Sequence, residues 1–167
     1  MKIRLGLCAA LALAAAAPAR AADRDPFTGV WTYDPAQSTA SSDYTQRLTI
    51  TVRGDEETYF SEVAGKTGSR SLLSLRVRYD GAPVATHTFN IAPDGTITAV
   101  PMEVVARSVD TTHRIVEHRV NGRVVRVLKR APMDGGRALV SELTDFDAEG
   151  RQTRSSRLVF VATPPKF

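Results

Sequence analysis

Three histidines and a cluster of arginines are the residues of this chain best suited to chemistry. His87, Phe89 and Ile91 are spaced by two, so alternation puts them on one face of a strand. His118 shares a face with Val116 and Val120 in the same way. An imidazole among apolar neighbours is either a hydrogen-bonded structural residue or a polar anchor inside a ligand cavity. His113 and His118 differ by five, so on one strand they point to opposite faces and cannot share a metal. A metal would need a further ligand such as Glu103 or Glu142, and no such spacing stands out. No metal and no cofactor is therefore expected. There is no Gly-x-Ser-x-Gly nucleophile turn and no Gly-rich phosphate loop.

Arg114, Arg119, Arg123, Arg126 and Arg130 fall within one hairpin. One reading is an anion-binding patch, for lipid headgroups or acidic glycans. The other is a solvated face, since Glu117 is interleaved among them. No aromatic residues alternate with these arginines, which argues against single-stranded nucleic acid.

The N-terminus has the three parts of a secretory signal. Met1–Arg4 is basic, residues 5–17 are apolar, and Ala19-Arg20-Ala21 is a small-x-small cleavage site. The apolar run is too short to span a bilayer. Cys8 follows Leu7 within that run, whereas a lipoprotein signal needs a small residue there and a later cysteine. The expectation is a cleaved segment 1–21 and a single exported domain over 22–167, periplasmic or secreted, with no integral membrane segment. Loss of Lys2, Arg4 and Arg20 lowers the basic count from 22 to 19 against 18 acids, so the net charge falls from +4 to about +1. The basic balance of the full chain therefore gives little support for nucleic-acid binding. The lone cysteine also leaves with the signal, so the domain must be stabilised by its core without disulfides.

The rest of the chain reads as strands with almost no helix. Turn signals occur at Asp80-Gly81, Asp94-Gly95, Asn121-Gly122, Asp134-Gly135-Gly136 and Asp147–Gly150. Leu48, Ile50 and Val52 alternate with polar residues, as do Leu73, Leu75, Val77 and Tyr79. Each run gives one buried and one wet face, the pattern of an antiparallel meander. Asn121-Gly122 predicts a two-residue type I′ turn, because both central residues need positive φ. A regular hairpin from that turn would set His118 opposite Val125, Val116 opposite Val127 and Arg114 opposite Lys129, facing inward. Glu117 would pair with Arg126 on the solvent side.

Phe27-Thr28-Gly29-Val30-Trp31, followed by Asp34-Pro35 and Ser38, resembles the opening of small secreted bacterial lipocalin-like proteins. Arg78–Pro83 is similar to that family's Tyr-Asp-Gly turn, and the segments from Asn121 onward resemble its last three strands. The resemblance covers most of residues 27–162. It implies one all-β, up-and-down, calycin-type barrel of about eight to ten strands, in which Gly29 and Trp31 plug one end. By the same resemblance an arginine of the last strand, Arg154 or Arg157, would cover Trp31. Thr144-Asp145-Phe146 looks like the second lipocalin motif, but only about one strand follows it and no C-terminal helix pattern is present. Residues 34–44 are too short and Ser-rich for the two-helix lid of intracellular fatty-acid-binding proteins.

Three function classes remain open. The first is a soluble envelope protein holding a small apolar or amphipathic ligand, lined by His87, Phe89, Ile91, Val116, His118, Val125 and Leu143. The second is a packed barrel that acts through its surface as a partner-binding or structural module. The third is an isomerase- or cyclase-type enzyme at the barrel mouth. Fold alone does not choose among them; a cavity would favour the first, a filled interior the second, and a cleft holding a carboxylate or His with a strongly shifted pKa the third.

Overall fold

The computed structural model describes residues 25–163. The proposed signal segment 1–21 lies outside the described residues. Ten strands follow in chain order: β1 (Gly29–Tyr33), β2 (Tyr44–Arg53), β3 (Glu56–Gly65), β4 (Arg70–Arg78), β5 (Asp80–Ile91), β6 (Ile97–Ser108), β7 (Arg114–Val120), β8 (Arg123–Met133), β9 (Ala138–Phe146) and β10 (Gln152–Ala162). Each pairs antiparallel with its sequence neighbours, and β1 also pairs with β10, so the sheet closes as an up-and-down barrel. The described residues contain no helix, and residues 34–43 form turns and bends.

Closure rests on a short seam. Trp31, Thr32 and Tyr33 face Ala162, Val161 and Phe160. The amides of Asp34 and Thr163 extend this seam by donating to the carbonyls of Val159 and Val30, each at 2.8 Å. The loop after β1 adds a side-chain clasp, in which the Val159 amide donates to Ser38 Oγ at 2.9 Å. Full closure leaves no free sheet edge to aggregate.

The interior divides into two apolar clusters. One gathers Phe27, Trp31, Tyr33, Leu48, Ile50, Leu139, Leu143, Leu158 and Phe160. The other gathers Leu73, Leu75, Val77, Met102, Val104, Ala106 and Val116. Tyr59 and Leu128 pack against both. Trp31 is 1% exposed, and its indole N–H donates to the Phe27 carbonyl at 3.0 Å. A Cβ on Gly29 would come within 3.1 Å of that ring, so the Gly29-x-Trp31 spacing answers a steric demand.

No arginine of β10 covers Trp31. Arg154 is opposite Asp145, eight residues before Ala162, the partner of Trp31, and so lies toward the other end of the barrel. Arg157 faces outward and donates to the Gln37 carbonyl at 3.3 Å. The guanidinium at the Trp31 end belongs to Arg114. It lies between the rings of Phe27 and Tyr79, 3.9 and 4.1 Å from their centroids.

Two register features decide what the interior contains. Asn121 and Gly122 have φ of 51° and 74°, as a type I′ turn requires. Val120 faces Arg123 and Arg119 faces Val124, but His118 then faces Arg126. Val125 is the extra residue of a β-bulge, not the partner of His118, and it does not line the interior. A one-residue slip exchanges the faces of a strand. Beyond the bulge, Arg126, Leu128 and Arg130 therefore point inward, in place of Val125, Val127 and Lys129. The expected Glu117–Arg126 pair does not form; Glu117 binds Arg107 at 2.9 Å and Arg119 at 2.5 Å instead.

The second feature is the face of β5. Leu73 of β4 pairs with Thr88, and both line the interior. His87 and Phe89 are consequently exposed on the outer wall, with ring centroids 6.2 Å apart, and Ile91 follows on the same face. These three were expected inside. Alternation identified their shared face correctly but carried no sign, because β5 turns its threonines inward. Thr88 Oγ1 meets Met102 Sδ at 3.1 Å, and Thr86 donates to the Ser74 carbonyl at the same distance.

Replacing Trp31 by Ala should cost about 3–5 kcal/mol in urea unfolding. Trp31 is the only tryptophan, so native emission should be blue-shifted. Emission at the water-exposed wavelength, or a loss below about 1 kcal/mol, would contradict its burial.

Candidate functional site

β3 carries a Glu-x-Tyr-x-Ser-x-Val alternation from Glu57 to Val63, and that face points inward. Glu57 is 1% exposed, and two guanidiniums approach it from the opposite wall. Arg130 Nη2 donates to Glu57 Oε1 at 2.9 Å, and Arg114 Nη1 lies 3.5 Å from Oε2. These arginines are themselves 4% and 5% exposed. Tyr79 donates its hydroxyl to Glu57 and accepts from Arg114. Arg114 also pairs with Asp25 at 2.5 Å, which ties the segment before β1 across this end of the barrel. Two carboxylates thus oppose two guanidiniums, and the layer has no formal net charge.

The ionisation of this layer follows from its surroundings. Burial alone would lower Arg130, but Glu57 and the two nearby tyrosines outweigh it and hold the guanidinium above its usual value. Burial pushes the Tyr79 hydroxyl up, and the adjacent Glu57 carboxylate pushes it further. Arg114 Nε and Arg130 Nε and Nη1 have no hydrogen-bond partner among the described residues. For Arg130, part of the compensation is the Tyr59 ring, 5.4 Å from its guanidinium carbon.

Above this floor lies a cavity of about 230 Å³. Its middle is largely apolar, walled by Leu73, Leu75 and Val77 of β4, Val116, Leu128, Leu143, and Leu158 and Phe160 of β10, with Tyr59, Ser61 and Ser141 among them. Its far end is polar, with Tyr44, Gln46, Ser71, Thr88, His118, Arg126 and Arg154. Exposure rises along the barrel in the same direction: the Arg126 side chain is 40% exposed against 4% for Arg130 on the same strand. The Glu57–Arg130 layer is therefore the floor, and the Arg126–Arg154 level is the mouth.

Asp145 stands between the two mouth arginines in the β8–β9–β10 register. It binds Arg126 Nε at 2.6 Å. Arg154 donates Nε to Ser156 Oγ at 3.0 Å and has no carboxylate partner among the described residues. His118 adjoins this group on β7. Burial, and then the charges of Arg126 and Arg130, push its imidazole down to about 3 against a weaker opposing pull from Asp145. It is therefore a neutral polar group at physiological pH. Tyr44 stacks on Tyr33 at 4.8 Å between centroids, and its hydroxyl is pushed up to about 12 by burial and by the Tyr33 hydroxyl.

Of the residues singled out from sequence, Val116, His118 and Leu143 line this cavity, and Arg154 lines its mouth instead of covering Trp31. Val125 sits in the bulge, and His87, Phe89 and Ile91 belong to the outer wall. His113 lies in the loop before β7, where its Nδ1 is 2.9 Å from Asp110 Oδ2. No group of three metal-ligating side chains occurs among the described residues. Glu57 and Tyr59 were missed, and Tyr79, which shares the alternation of Leu73, Leu75 and Val77, was not assigned to a site. The signal available was the alternation of Glu57 with Tyr59, Ser61 and Val63, but a glutamate heading such a face reads as solvent-facing. The inward turn of Arg126 and Arg130 had no signal, since a bulge leaves none in composition. No protein-family model matches the chain, and no curated protein matches it significantly.

Replacing Glu57 by Ala would leave two buried guanidiniums facing each other without a counter-charge. It should destabilise the barrel by about 3–5 kcal/mol in chemical denaturation. A loss within about 0.5 kcal/mol would show that the floor layer is solvated.

The folded-state pKa of His118, about 3, lies below its ordinary value of 6.5. Between these values the unfolded chain binds the proton and the folded chain does not. The stability contributed by the neutral imidazole is thus complete above about pH 6.5 and is lost as pH falls toward 3. NMR titration should show His118 uncharged at pH 5, and His118→Gln should flatten the decline in stability between pH 7 and 5. A midpoint near 6.5 for this imidazole would overturn its placement.

Proposed function

We propose that this protein is an exported, lipocalin-like carrier that binds a small amphipathic molecule inside its barrel. The observation that carries the reading is the cavity of about 230 Å³, largely apolar in the middle and polar at both ends. Ligand sites combine largely apolar walls with a few placed polar groups in this way. The volume falls below the ~300–1,000 Å³ of drug-sized sites, so the ligand is short. The Gly29-x-Trp31 opening and the strand order support a lipocalin-like assignment, and the basic, apolar and small-residue pattern of residues 1–21 supports export. The same cavity supports this reading over that of a packed barrel working only through its surface, which calls for a filled interior.

Calorimetric titration with 1-octanol, a neutral short amphiphile, tests the reading. Saturable binding at one site is expected. Val116→Trp, which adds bulk at the cavity wall, should weaken it at least tenfold. Unchanged affinity in that variant, or no binding by the wild type, would refute an interior site.

A further inference from the structure

We propose that the ligand is an anion, a short apolar chain ending in a carboxylate-type head, held head-outward with the anionic group between Arg154 and Arg126 and the chain pointing to the floor. This rests on the barrel being a carrier of small amphiphiles and adds the charge and direction of what it carries.

The argument starts from how charge is distributed along the cavity. At the floor, Arg114 and Arg130 are matched by Asp25 and Glu57. An anion placed there would add a third buried negative charge to a layer already balanced, which is costly in a dry interior. At the mouth, Arg126 and Arg154 share one acid, Asp145, and that acid is committed to Arg126 at 2.6 Å. Arg154 donates only Nε, to the Ser156 hydroxyl, and its two terminal nitrogens make no hydrogen bond among the described residues. A guanidinium presents those nitrogens as a planar fork that fits a carboxylate through two parallel bonds. The mouth therefore carries one uncompensated positive charge with the geometry for a planar oxyanion. His118 adds a polar neighbour without a further charge.

Length agrees with this direction. Arg130 lies four residue steps beyond Arg126 on β8, which at ~3.4 Å per residue and a strand tilt of about 40° makes a depth of roughly 10 Å. That is about the extended length of an eight-carbon chain. Leu73, Leu75, Val116, Leu128 and Leu143 line most of the interval; its polar groups, Ser61 and Ser141, are uncharged, and Ser61 Oγ already accepts from Gln46 Nε2 at 3.0 Å.

Octanoate and 1-octanol share chain length and differ in the head. At pH 7.5 and low salt, octanoate should bind about tenfold more tightly, and raising the salt to about 0.5 M should erase most of that advantage without erasing octanol binding. Arg154→Gln should remove the difference between the two ligands, and Arg154→Lys should restore part of it. Arg154 is exposed, so these variants should fold; the blue-shifted Trp31 emission checks that. The salt titration of the unsubstituted protein decides the matter even if they do not. Equal binding of the two ligands, or an octanoate preference that survives both high salt and Arg154→Gln, would overturn the proposed head site while leaving the carrier reading intact. Failure of both ligands to bind would overturn the carrier reading and the head site with it.

Discussion

The buried carboxylate of Glu57 is the constraint around which this barrel is arranged. Arg114 and Arg130 are direct partners across β7 and β8, so two like charges face each other inside the protein. Such a pair repels unless a counter-charge is supplied at short range. Glu57 supplies it from the far wall, 73 residues away from Arg130 in sequence. Taking these ions out of water is expensive, and the network is not evidence of extra stability. Its effect is geometric: it couples β3 to β7 and β8 across the interior. Through Tyr79 and Asp25 it also couples them to the junction of β4 and β5 and to the chain entering β1. Phe27, stacked on Arg114 and bonded to the Trp31 indole, completes the closed end.

That floor exists only because β8 changes phase. Without the bulge at Val125, the β8 residues facing Arg114 and Val116 would be Lys129 and Val127. Glu57 would then lose Arg130, Asp145 would lose Arg126 from the inner face, and the cavity would close on valines. One unpaired residue three positions after the turn thus converts an ordinary amphipathic hairpin into the polar scaffolding of both ends of the cavity. Bulges commonly re-aim side chains in this way, at a local cost to the ladder.

The division between what could and could not be read in the sequence follows the same line. Strand placement was legible, because Leu48, Ile50 and Val52 and then Leu73, Leu75 and Val77 alternate cleanly and turn residues separate the runs. The closed all-β architecture followed from it. The burial of Trp31 was legible from its type and its place at the head of the first strand. The sign of β5 was not: Phe89 and Ile91 lie outside with His87, while Thr86 and Thr88 share the inner face with Val84, and the pairing of Leu73 with Thr88 reveals it. The site was legible for Val116, His118 and Leu143, which lie on regular stretches of β7 and β9. It was illegible wherever the polarity of a residue is satisfied by a partner distant in sequence, as for Glu57, Arg114 and Arg130.

These buried charges also bear on how the interior can discriminate among molecules. A cavity walled only by Leu73, Leu75, Val116, Leu128 and Leu143 would rank ligands by apolar area, and one methylene more or less is worth only about 1 kcal/mol. Selectivity of a larger size comes from polar groups that a wrong ligand leaves unmatched. In this barrel those groups are separated by depth. The floor presents Arg130 donors within a layer of balanced charge, which suits a neutral partner or none. The mouth presents Arg154 with no acid of its own, beside a His118 held neutral by burial and then by the charges of Arg126 and Arg130. Because the imidazole is kept uncharged at physiological pH, it adds no further positive charge to the mouth. The local excess there is that of a single guanidinium, set at the open end of the cavity.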